Sequence, residues 1–334
     1  MDKKILVTGG AGYIGSHAVK VFLEKGYSVV VFDNLSRGYR EAVKTLERYG
    51  DVILEEGDLR DREQVQALFR KHEIDSVLHF AALCSVDESM RDPAQYFENN
   101  VLGTLHLLEA MRVFQVRDII FSSTCAVYGE AEYLPVDEKH KTEPENPYGE
   151  SKLMAERTIQ WYAKLFGFRY VIFRYFNVCG ASSDGEIGDS KKPSLLLVQN
   201  VVRGAMGIEP FRLTCQKVDT PDGTPIRDYV DVEDLAEAHL LGYKYINEDK
   251  KSIILNLGNG KGWSVKEILS AVENVFRVQI PISEGERRNG EYSKVYADTS
   301  KVRSVLSWTG KRTINESVDS LKRWYQKNPS GYEE

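Results

Sequence analysis

Short runs of apolar residues recur along the chain, with segments of helical length between most of them. These runs are continuously apolar rather than alternating, which is typical of strands buried on both faces of a parallel sheet. Because strand and helix alternate, we predict a doubly wound α/β sheet of the Rossmann type, with ligands bound at the carboxyl ends of its strands. The runs read KKILVTG, YSVVVFD, VILEEGD, DSVLHFAA, DIIFSST, RYVIFRYF and SIILNLG.

The alternation stops after residue 178. The polar, glycine-rich stretch CGASSDGEIGDSKKP follows, and it reads as a loop or a domain boundary. We therefore predict a first domain over residues 1–178, to which the segment 226–260 returns. A smaller, mixed α/β domain over residues 179–334 is expected to cover the carboxyl edge of the sheet.

Composition narrows the class of protein. The chain has 334 residues, of which 42% are hydrophobic and 28% charged, and a net charge of −6 argues against a nucleic-acid partner. We find neither a signal-peptide core nor an apolar run of membrane-spanning length, so no membrane association and a cytoplasmic location are expected. The four cysteines form no CxxC pair, and no metal site is predicted.

A glycine-rich loop follows the first predicted strand and opens a helix. It reads GGAGYIG, with Gly9, Gly12 and Gly15 at three-residue spacing. Glycine permits a tight turn and a close approach of the backbone to a pyrophosphate, which the helix N-terminus then binds. This context predicts a dinucleotide site.

Acidic residues at the ends of the next strands indicate which dinucleotide is bound. Asp33 ends the second strand, where a carboxylate accepts hydrogen bonds from ribose hydroxyls and repels a 2′-phosphate. That favours NAD over NADP, although Arg37 lies nearby. Asp58 and Asn99, read alone, resemble cap or turn residues, but Asp58 is well placed to lie near an adenine.

The motif NPYGESK combines a helix start with a tyrosine and a lysine. Asn146 and Pro147 are an N-cap and a first-turn proline, so Tyr148 and Lys152 lie one turn apart on one helical face. We expect the ammonium and the helix N-terminus to lower the pKa of the phenol. Tyr148 would then exchange a proton with a substrate hydroxyl near neutral pH.

Hydroxyl groups end the fifth predicted strand, at Ser122, Ser123 and Thr124. At the ligand edge of the sheet, they could hydrogen-bond a substrate oxygen in line with Tyr148. Read without that tyrosine, the cluster is equally typical of a strand end that satisfies its own backbone.

Several motifs occur in order along nearly the whole chain: GGAGYIGSH, DNL, VDES, NNVLGT, SSTCAVYG, NPYGESK, RYFN, DGTPIRDYVDVEDLA and RRNGE. Together they resemble the extended short-chain dehydrogenase/reductase family, in its branch of UDP-hexose 4-epimerases. The resemblance implies a Rossmann-type domain with tightly held NAD and a C-terminal domain that binds a UDP-sugar. It also implies a homodimer built on helices near 96–112 and 148–166.

The resemblance implies a reaction on UDP-glucose or UDP-galactose. Tyr148 would take the proton of the sugar 4-hydroxyl while hydride passes from C4 to NAD. The 4-keto sugar would turn over, and hydride and proton would return on the other face. Thr124 would orient the hydroxyl, and Lys152 would hold the nicotinamide ribose and tune Tyr148.

The resemblance also implies two sets of binding residues. The cofactor set is Gly9, Gly12, Tyr13, Ile14, Gly15, Asp33, Asn34, Leu35, Asp58, Leu59, Phe80, Ala81, Ala82, Asn99, Ser122, Tyr148, Lys152 and Phe176. The substrate set is Thr124, Tyr148, Asn177, Leu197, Arg227, Arg288, Glu291 and Val295.

The chain departs from the family pattern at several positions. Cys84 stands where some members have lysine, Asp87 replaces a usual glycine, and Asp231 replaces a frequent histidine. Leu196 falls where Asn or His would touch the nucleotide. Val295 falls where a tyrosine would close the pocket around C2 of the sugar, so N-acetylated UDP-sugars could also enter.

Alternative functions stay open at this stage. An epimerase of UDP-N-acetylglucosamine, UDP-pentoses or UDP-uronic acids is compatible with the same motifs. A nucleotide-sugar dehydratase is disfavoured because Cys125 and Ala126 follow Thr124, where elimination needs an Asp-Glu pair. A non-catalytic NAD-binding sensor is disfavoured because Tyr148 and Lys152 are both present.

Overall fold

The computed structural model describes residues 4–192, 194–248, 250–285 and 292–332. A parallel seven-stranded sheet forms its centre. The strands of the described residues are β1 (Lys4–Thr8), β2 (Val29–Asp33), β3 (Val52–Glu56), β4 (Ile74–His79), β5 (Asp118–Thr124), β6 (Arg169–Tyr175), β7 (Asn177–Cys179), β8 (Phe211–Leu213), β9 (Ile226–Asp231), β10 (Ile253–Leu257), β11 (Gly262–Ser264), β12 (Ile282–Glu284) and β13 (Lys294–Val295). The order in the sheet is β10-β6-β5-β4-β1-β2-β3.

Each of the seven apolar runs in the sequence supplies one strand of this sheet, and every pairing within it is parallel. The chain runs outward from β1 through β2 to β3. It then returns to the other side of β1, where β4 lies, so the strand order reverses beside β1. The predicted doubly wound fold is therefore confirmed. Loops that follow β1, β2 and β4 meet at this switch point, where open α/β sheets bind their ligands.

Helices cover both faces of the sheet. Their bounds are α1 (Tyr13–Glu24), α2 (Arg40–Leu46), α3 (Arg62–Lys71), α4 (Val86–Arg91), α5 (Pro93–Tyr96), α6 (Gly103–Val113), α7 (Pro147–Phe166), α8 (Leu197–Ala205), α9 (Val232–Asn247), α10 (Val265–Phe276), α11 (Ser300–Leu306) and α12 (Ile314–Lys327). Short 3-10 turns lie at Glu47–Tyr49 and Cys125–Val127, and a π-helical turn, Phe97–Leu102, joins α5 to α6.

Two apolar clusters, one on each face, hold the helices to the sheet. On one face, Phe22 of α1 packs edge-to-face against Tyr243 of α9, with ring centroids 5.4 Å apart. On the other, buried residues of α3, α6 and α7 such as Phe69, Leu107 and Ile159 cover the same strands. Burial on both faces explains why the strand runs are apolar throughout.

The segment after residue 178 contributes to both halves of the molecule. Strand β10 adds to the edge of the large sheet beside β6. Strands β7, β9, β11 and β13 form a small separate sheet, β8 pairs with β12, and a third apolar cluster packs α8, α10 and α12 together. The limits 1–178 and 179–334 stay a prediction.

Side-chain caps begin two helices of this second half, as the local sequence dictates. Ser264 and Glu267 form a capping box at the start of α10, and Thr313 and Glu316 form one at the start of α12. Within the described part of the chain, no helix is long and apolar enough to cross a membrane.

Candidate functional site

A cleft of about 400 Å³ runs along the carboxyl edge of the large sheet, between the strand-end loops and the segment that follows β7. Most of the predicted site residues line it. They are Gly9, Gly12, Tyr13, Ile14, Gly15, Asp33, Asn34, Asp58, Leu59, Phe80, Ala81, Ala82, Asn99, Ser122, Thr124, Tyr148, Lys152, Phe176 and Asn177.

Some predicted residues lie elsewhere. Leu35 lines a smaller adjoining cavity, and Leu197, Arg227 and Val295 are absent from the walls of both. Arg288 and Glu291 lie outside the described residues.

The loop after β1 needs glycine at two points. Gly9 has a φ of +72°, and a Cβ there would stand 2.5 Å from the backbone nitrogen of Ala81. A Cβ on Gly15 would overlap the carbonyl oxygen of Gly9. The first turn of α1 can therefore approach the loop closely. The N-cap residue of α1 is Gly12, which has no side chain to accept a hydrogen bond. The first amides of α1 therefore stay open to an anion in the cleft.

Asp33 shapes the turn after β2. Its Oδ2 accepts from the amide of Ala11 at 3.0 Å, and its Oδ1 accepts from the amide of Leu35 at 2.9 Å. Burial raises the pKa of Asp33, and the two amides oppose that rise. The carboxylate thus links the β1 and β2 loops and also faces the cleft, where a ribose would lie.

Asp58 and Asn34 stand together at the same end of the cleft. The amide of Asn34 donates to Asp58 Oδ2 at 3.0 Å. Hydrogen bonds from Arg60 lower the pKa of Asp58 to about 2, so this carboxylate is charged at neutral pH. A charged carboxylate at this position can accept hydrogen bonds from a ligand in the cleft.

The opposite end of the cleft is built on the start of α7. Asn146 caps the helix by accepting from the amide of Gly149 at 2.9 Å, and Pro147 occupies the first turn, as predicted. A Cβ at Gly149 would lie 2.6 Å from the carbonyl oxygen of Ala126. Glycine therefore lets the helix start pack on the turn after β5, which brings Tyr148 beside Thr124.

The hydroxyl groups at the end of β5 point in different directions. Thr124 Oγ1 accepts from the amide of Ala126 at 3.1 Å, which leaves its hydrogen free to donate to the phenol of Tyr148. Ser123 instead donates to the buried Glu156 at 2.5 Å. Ser122 hydrogen-bonds Tyr175, which also lines the cleft.

The pKa of Tyr148 is shifted in the direction opposite to that predicted from the sequence. Burial raises the pKa of Tyr148, the electrostatic interaction with Cys84 raises it further, and the Thr124 hydroxyl only partly opposes this. Burial also lowers the pKa of Lys152 to about 7. Its ammonium lies 4.2 Å from the centre of the Phe121 ring. The expected depression of the phenol pKa by Lys152 and the helix N-terminus is thus wrong for the protein groups alone, because desolvation outweighs them.

Comparison with known proteins places this architecture in a family. The model of the NAD dependent epimerase/dehydratase family matches residues 5–258. The chain belongs to this family. The extended short-chain dehydrogenase/reductase resemblance and the NAD cofactor predicted from the sequence are thereby confirmed.

Relatives within this family match over the full length. The UDP-glucose 4-epimerase of Lactobacillus helveticus is 41% identical over 99% of both chains. UDP-arabinose 4-epimerase 1 of Arabidopsis thaliana is 40% identical over 98% of this chain and 80% of its own. A crystal structure of UDP-glucose 4-epimerase, 43% identical, superposes with a TM-score of 0.94 and covers 99% of this chain and 100% of its own. The Bifidobacterium longum enzyme in complex with NAD+ and UDP, 37% identical, has a TM-score of 0.94 over 99% and 100%.

Some of the predicted substrate residues line the cleft and others do not. Asn177 opens β7 and lines the cleft. Arg227 lies on β9, where one guanidinium nitrogen donates to the carbonyl of Ile226 at 2.9 Å and its charge acts on Cys125 of the cleft wall. Val295 packs in an apolar cluster with Tyr128, Leu153 and Phe176. Leu196, one position before Leu197, lines the cleft instead.

The epimerase/dehydratase architecture also depends on residues that sequence reasoning missed. Gly149 was one, and Asn100 is another. The buried Asn100 accepts from the amide of Leu83 at 2.9 Å and donates to the carbonyl of Leu83 and to Ser151. It therefore joins the loop after β4 to α7, and it lies on the π-helical turn between α5 and α6.

Lys191 is the third missed residue. It belongs to the C-terminal half, lines the cleft and the adjoining cavity, and lies 3.6 Å from Cys84 through its ammonium nitrogen. A lysine pair in a polar loop carries no sequence signal of this position. In the described ranges, no group of three or more His, Cys, Asp or Glu side chains could hold a metal ion.

Proposed function

We propose that this protein interconverts UDP-glucose and UDP-galactose by NAD-dependent epimerisation at C4 of the sugar. One observation carries the proposal: a single cleft joins the glycine loop and Asp33 at one end to Thr124, Tyr148 and Lys152 at the other. Relatives that match over the full length include UDP-glucose 4-epimerases.

The residues present fit NAD. Gly15 lets α1 start directly against the loop at Gly9, and no side chain caps the first amides of this helix, which suits a pyrophosphate. At the adenosine end, Asp33 and Asp58 offer carboxylate acceptors to ribose and adenine and disfavour a 2′-phosphate. Lys152 would hold the nicotinamide ribose. Phe80, Ala81 and Phe176 supply the apolar wall at this end.

The catalytic work of the chain is to position and move a proton. Thr124 and Tyr148 hold the 4-hydroxyl of the sugar, and Tyr148 accepts its proton and later returns it. NAD, when bound, supplies the hydride acceptor and donor and, in its oxidised form, a positive charge. A positive charge near the phenol opposes the effect of burial, so ionisation of Tyr148 is confined to the loaded site. Burial otherwise keeps the phenol protonated.

The UDP-sugar is expected on the C-terminal side of the cleft. Asn177 is placed to touch its diphosphate, and Arg227 with Arg288 would neutralise the phosphates, as paired guanidinium and phosphate groups do. Leu197, Glu291 and Val295 would contact the uridine and the sugar. Support for these roles comes from their motifs and, for Asn177, from its position in the cleft wall.

Two further features of the proposal concern the protein as a whole. Exposed apolar side chains occur along α6 and α7, namely Leu105, Val113, Met154, Trp161, Leu165 and Phe166. They support a homodimer through these helices, because large exposed apolar side chains grouped on neighbouring helices are typical of protein interfaces. The absence of a disulfide among the four cysteines supports a reducing, cytoplasmic location.

The experiment uses the purified protein without added nucleotide. Denaturation should release about one NAD per chain, and incubation with UDP-galactose should yield UDP-glucose, with UDP-arabinose and a dTDP-hexose as comparison substrates. Catalysis without added NAD is expected because the cofactor is restored in each turnover. Conversion of UDP-arabinose alone would show that the substrate is a UDP-pentose and not a UDP-hexose. If the protein converted none of these nucleotide sugars, the proposal would be overturned.

A further inference from the structure

A loop of the C-terminal half extends a lysine into the cofactor cleft. Buried contacts fix the backbone on either side of Lys191. Asp189 accepts from the hydroxyl of Ser194 at 2.6 Å. The Ser190 carbonyl accepts from Tyr39 at 2.9 Å, and the Ser190 hydroxyl accepts from the amide of Tyr332 at 2.7 Å. The lysine is therefore held over the cleft by a packed support.

The side chain of Lys191 reaches a well-defined place. Its ammonium lies 3.6 Å from the sulfur of Cys84, and the lysine lines both the main cleft and the cavity beside the turn at Arg37. The pKa of Lys191 is raised by Cys84, and Asp189 adds to this against the effect of burial. The group is a permanent cation at neutral pH.

The strand order shows what this cation faces. In the sheet, β1 lies between β4 and β2. Cys84 follows β4 and Arg37 follows β2, so a group close to both lies across the loop that follows β1. A dinucleotide stretched from Asp33 to Tyr148 has its diphosphate at that glycine loop. Lys191 thus stands on the open side of the cleft, facing the loop.

We propose that Lys191 binds the diphosphate of the cofactor from the side opposite the glycine loop and slows cofactor release. This inference rests on the proposed function only in that NAD is the nucleotide bound. The helix amides of α1 and the ammonium of Lys191 would then hold the two sides of the diphosphate through charge-assisted hydrogen bonds. The C-terminal half would retain the cofactor as well as the sugar.

The test measures NAD release from the purified, NAD-loaded protein, by exchange against labelled NAD. Lys191→Gln should release NAD about tenfold faster, the loss expected for one charge-assisted hydrogen bond. Lys191→Arg should keep the slow rate. Lys192→Gln is the matched control, because the neighbouring lysine is exposed and does not line the main cleft.

Each outcome has a definite meaning. Faster release from Lys191→Gln, with Lys192→Gln near the parent rate, supports the proposal. Equal release from both variants overturns it. Unchanged release together with a raised KM for the UDP-sugar also overturns it, because the lysine would then serve the substrate diphosphate. A protein that retains NAD through Lys191 but epimerises no sugar would refute the proposed function and leave this inference standing.

Discussion

The two sides of the cleft are built in different ways. The cofactor side consists of short loops that follow consecutive strands of one parallel sheet, and Gly9, Gly15 and Asp33 occupy it as expected. The predicted substrate residues of the described chain come from β7, α8, β9 and β13, which are distant in sequence. There, Asn177 lines the cleft but Arg227 does not.

This difference shows which site residues can be located from the sequence pattern. In a parallel sheet, a residue at the carboxyl end of a strand must lie on the ligand edge. Outside the sheet no such constraint exists, and a residue such as Val295 lies in an apolar cluster because of packing that only the whole fold determines. The chain pattern therefore determines the position of residues at the sheet edge but not that of residues beside the sugar.

The strongest loss of turnover is expected from a change at Tyr148, where the two sides of the cleft meet. Tyr148→Phe should lower turnover by about 10³-fold, since positioned proton transfer contributes on the order of 10²–10⁴. NAD released on denaturation should stay near one per chain, because the cofactor side remains whole. Tyr133→Phe, at an exposed tyrosine, is the control and should keep parental kinetics. Retained turnover in Tyr148→Phe would remove Tyr148 from the mechanism.

A second variant tests the cofactor side alone. In Gly15→Ala the new methyl group would overlap the Gly9 carbonyl, so the loop must shift and cofactor binding should fall by at least about 100-fold or folding should fail. NAD content and thermal unfolding would be measured together. The matched variant is Gly26→Ala at an open position with a φ of +82°, which should cost only about 1 kcal/mol of backbone strain and leave NAD content intact. Normal NAD content in Gly15→Ala would contradict the close approach.

The pH dependence of stability probes Lys152. Its pKa in the folded protein is about 7, below the ordinary 10.5, so between these values the unfolded chain binds one more proton than the folded one. The free energy of unfolding of the cofactor-free protein should therefore rise as pH increases from 7 towards 10. Lys152→Met should lose this rise, measured by denaturant unfolding at several pH values. An equal rise in the variant would assign it to other groups.

The smallest effect concerns the substrate side. In the proposed contact of Val295 with the sugar, its small side chain leaves space beside C2, so UDP-N-acetylglucosamine should be turned over within about tenfold of UDP-glucose. Comparison of kcat/KM for the two sugars is the measurement. Turnover of UDP-glucose alone would show that the packed position of Val295 leaves no room beside C2.

Sequence reasoning reached the sheet, the helices on its faces and the helix start at Asn146, because these follow from local patterns. It missed Gly149, Asn100 and Lys191 because their importance arises from distant partners. Gly149 reads as an ordinary helical glycine until the Ala126 carbonyl lies against it. It also misjudged the pKa of Tyr148, because burial is a property of the folded site rather than of an i, i+4 pair.

The most direct test of the account follows the hydrogen at C4. Purified protein would be incubated with UDP-glucose deuterated at C4, without added NAD, and the products examined by NMR. Hydride removal and return within one cleft predicts UDP-galactose that keeps its deuterium at C4. Loss of the label to solvent, or no UDP-galactose at all, would contradict the central claim.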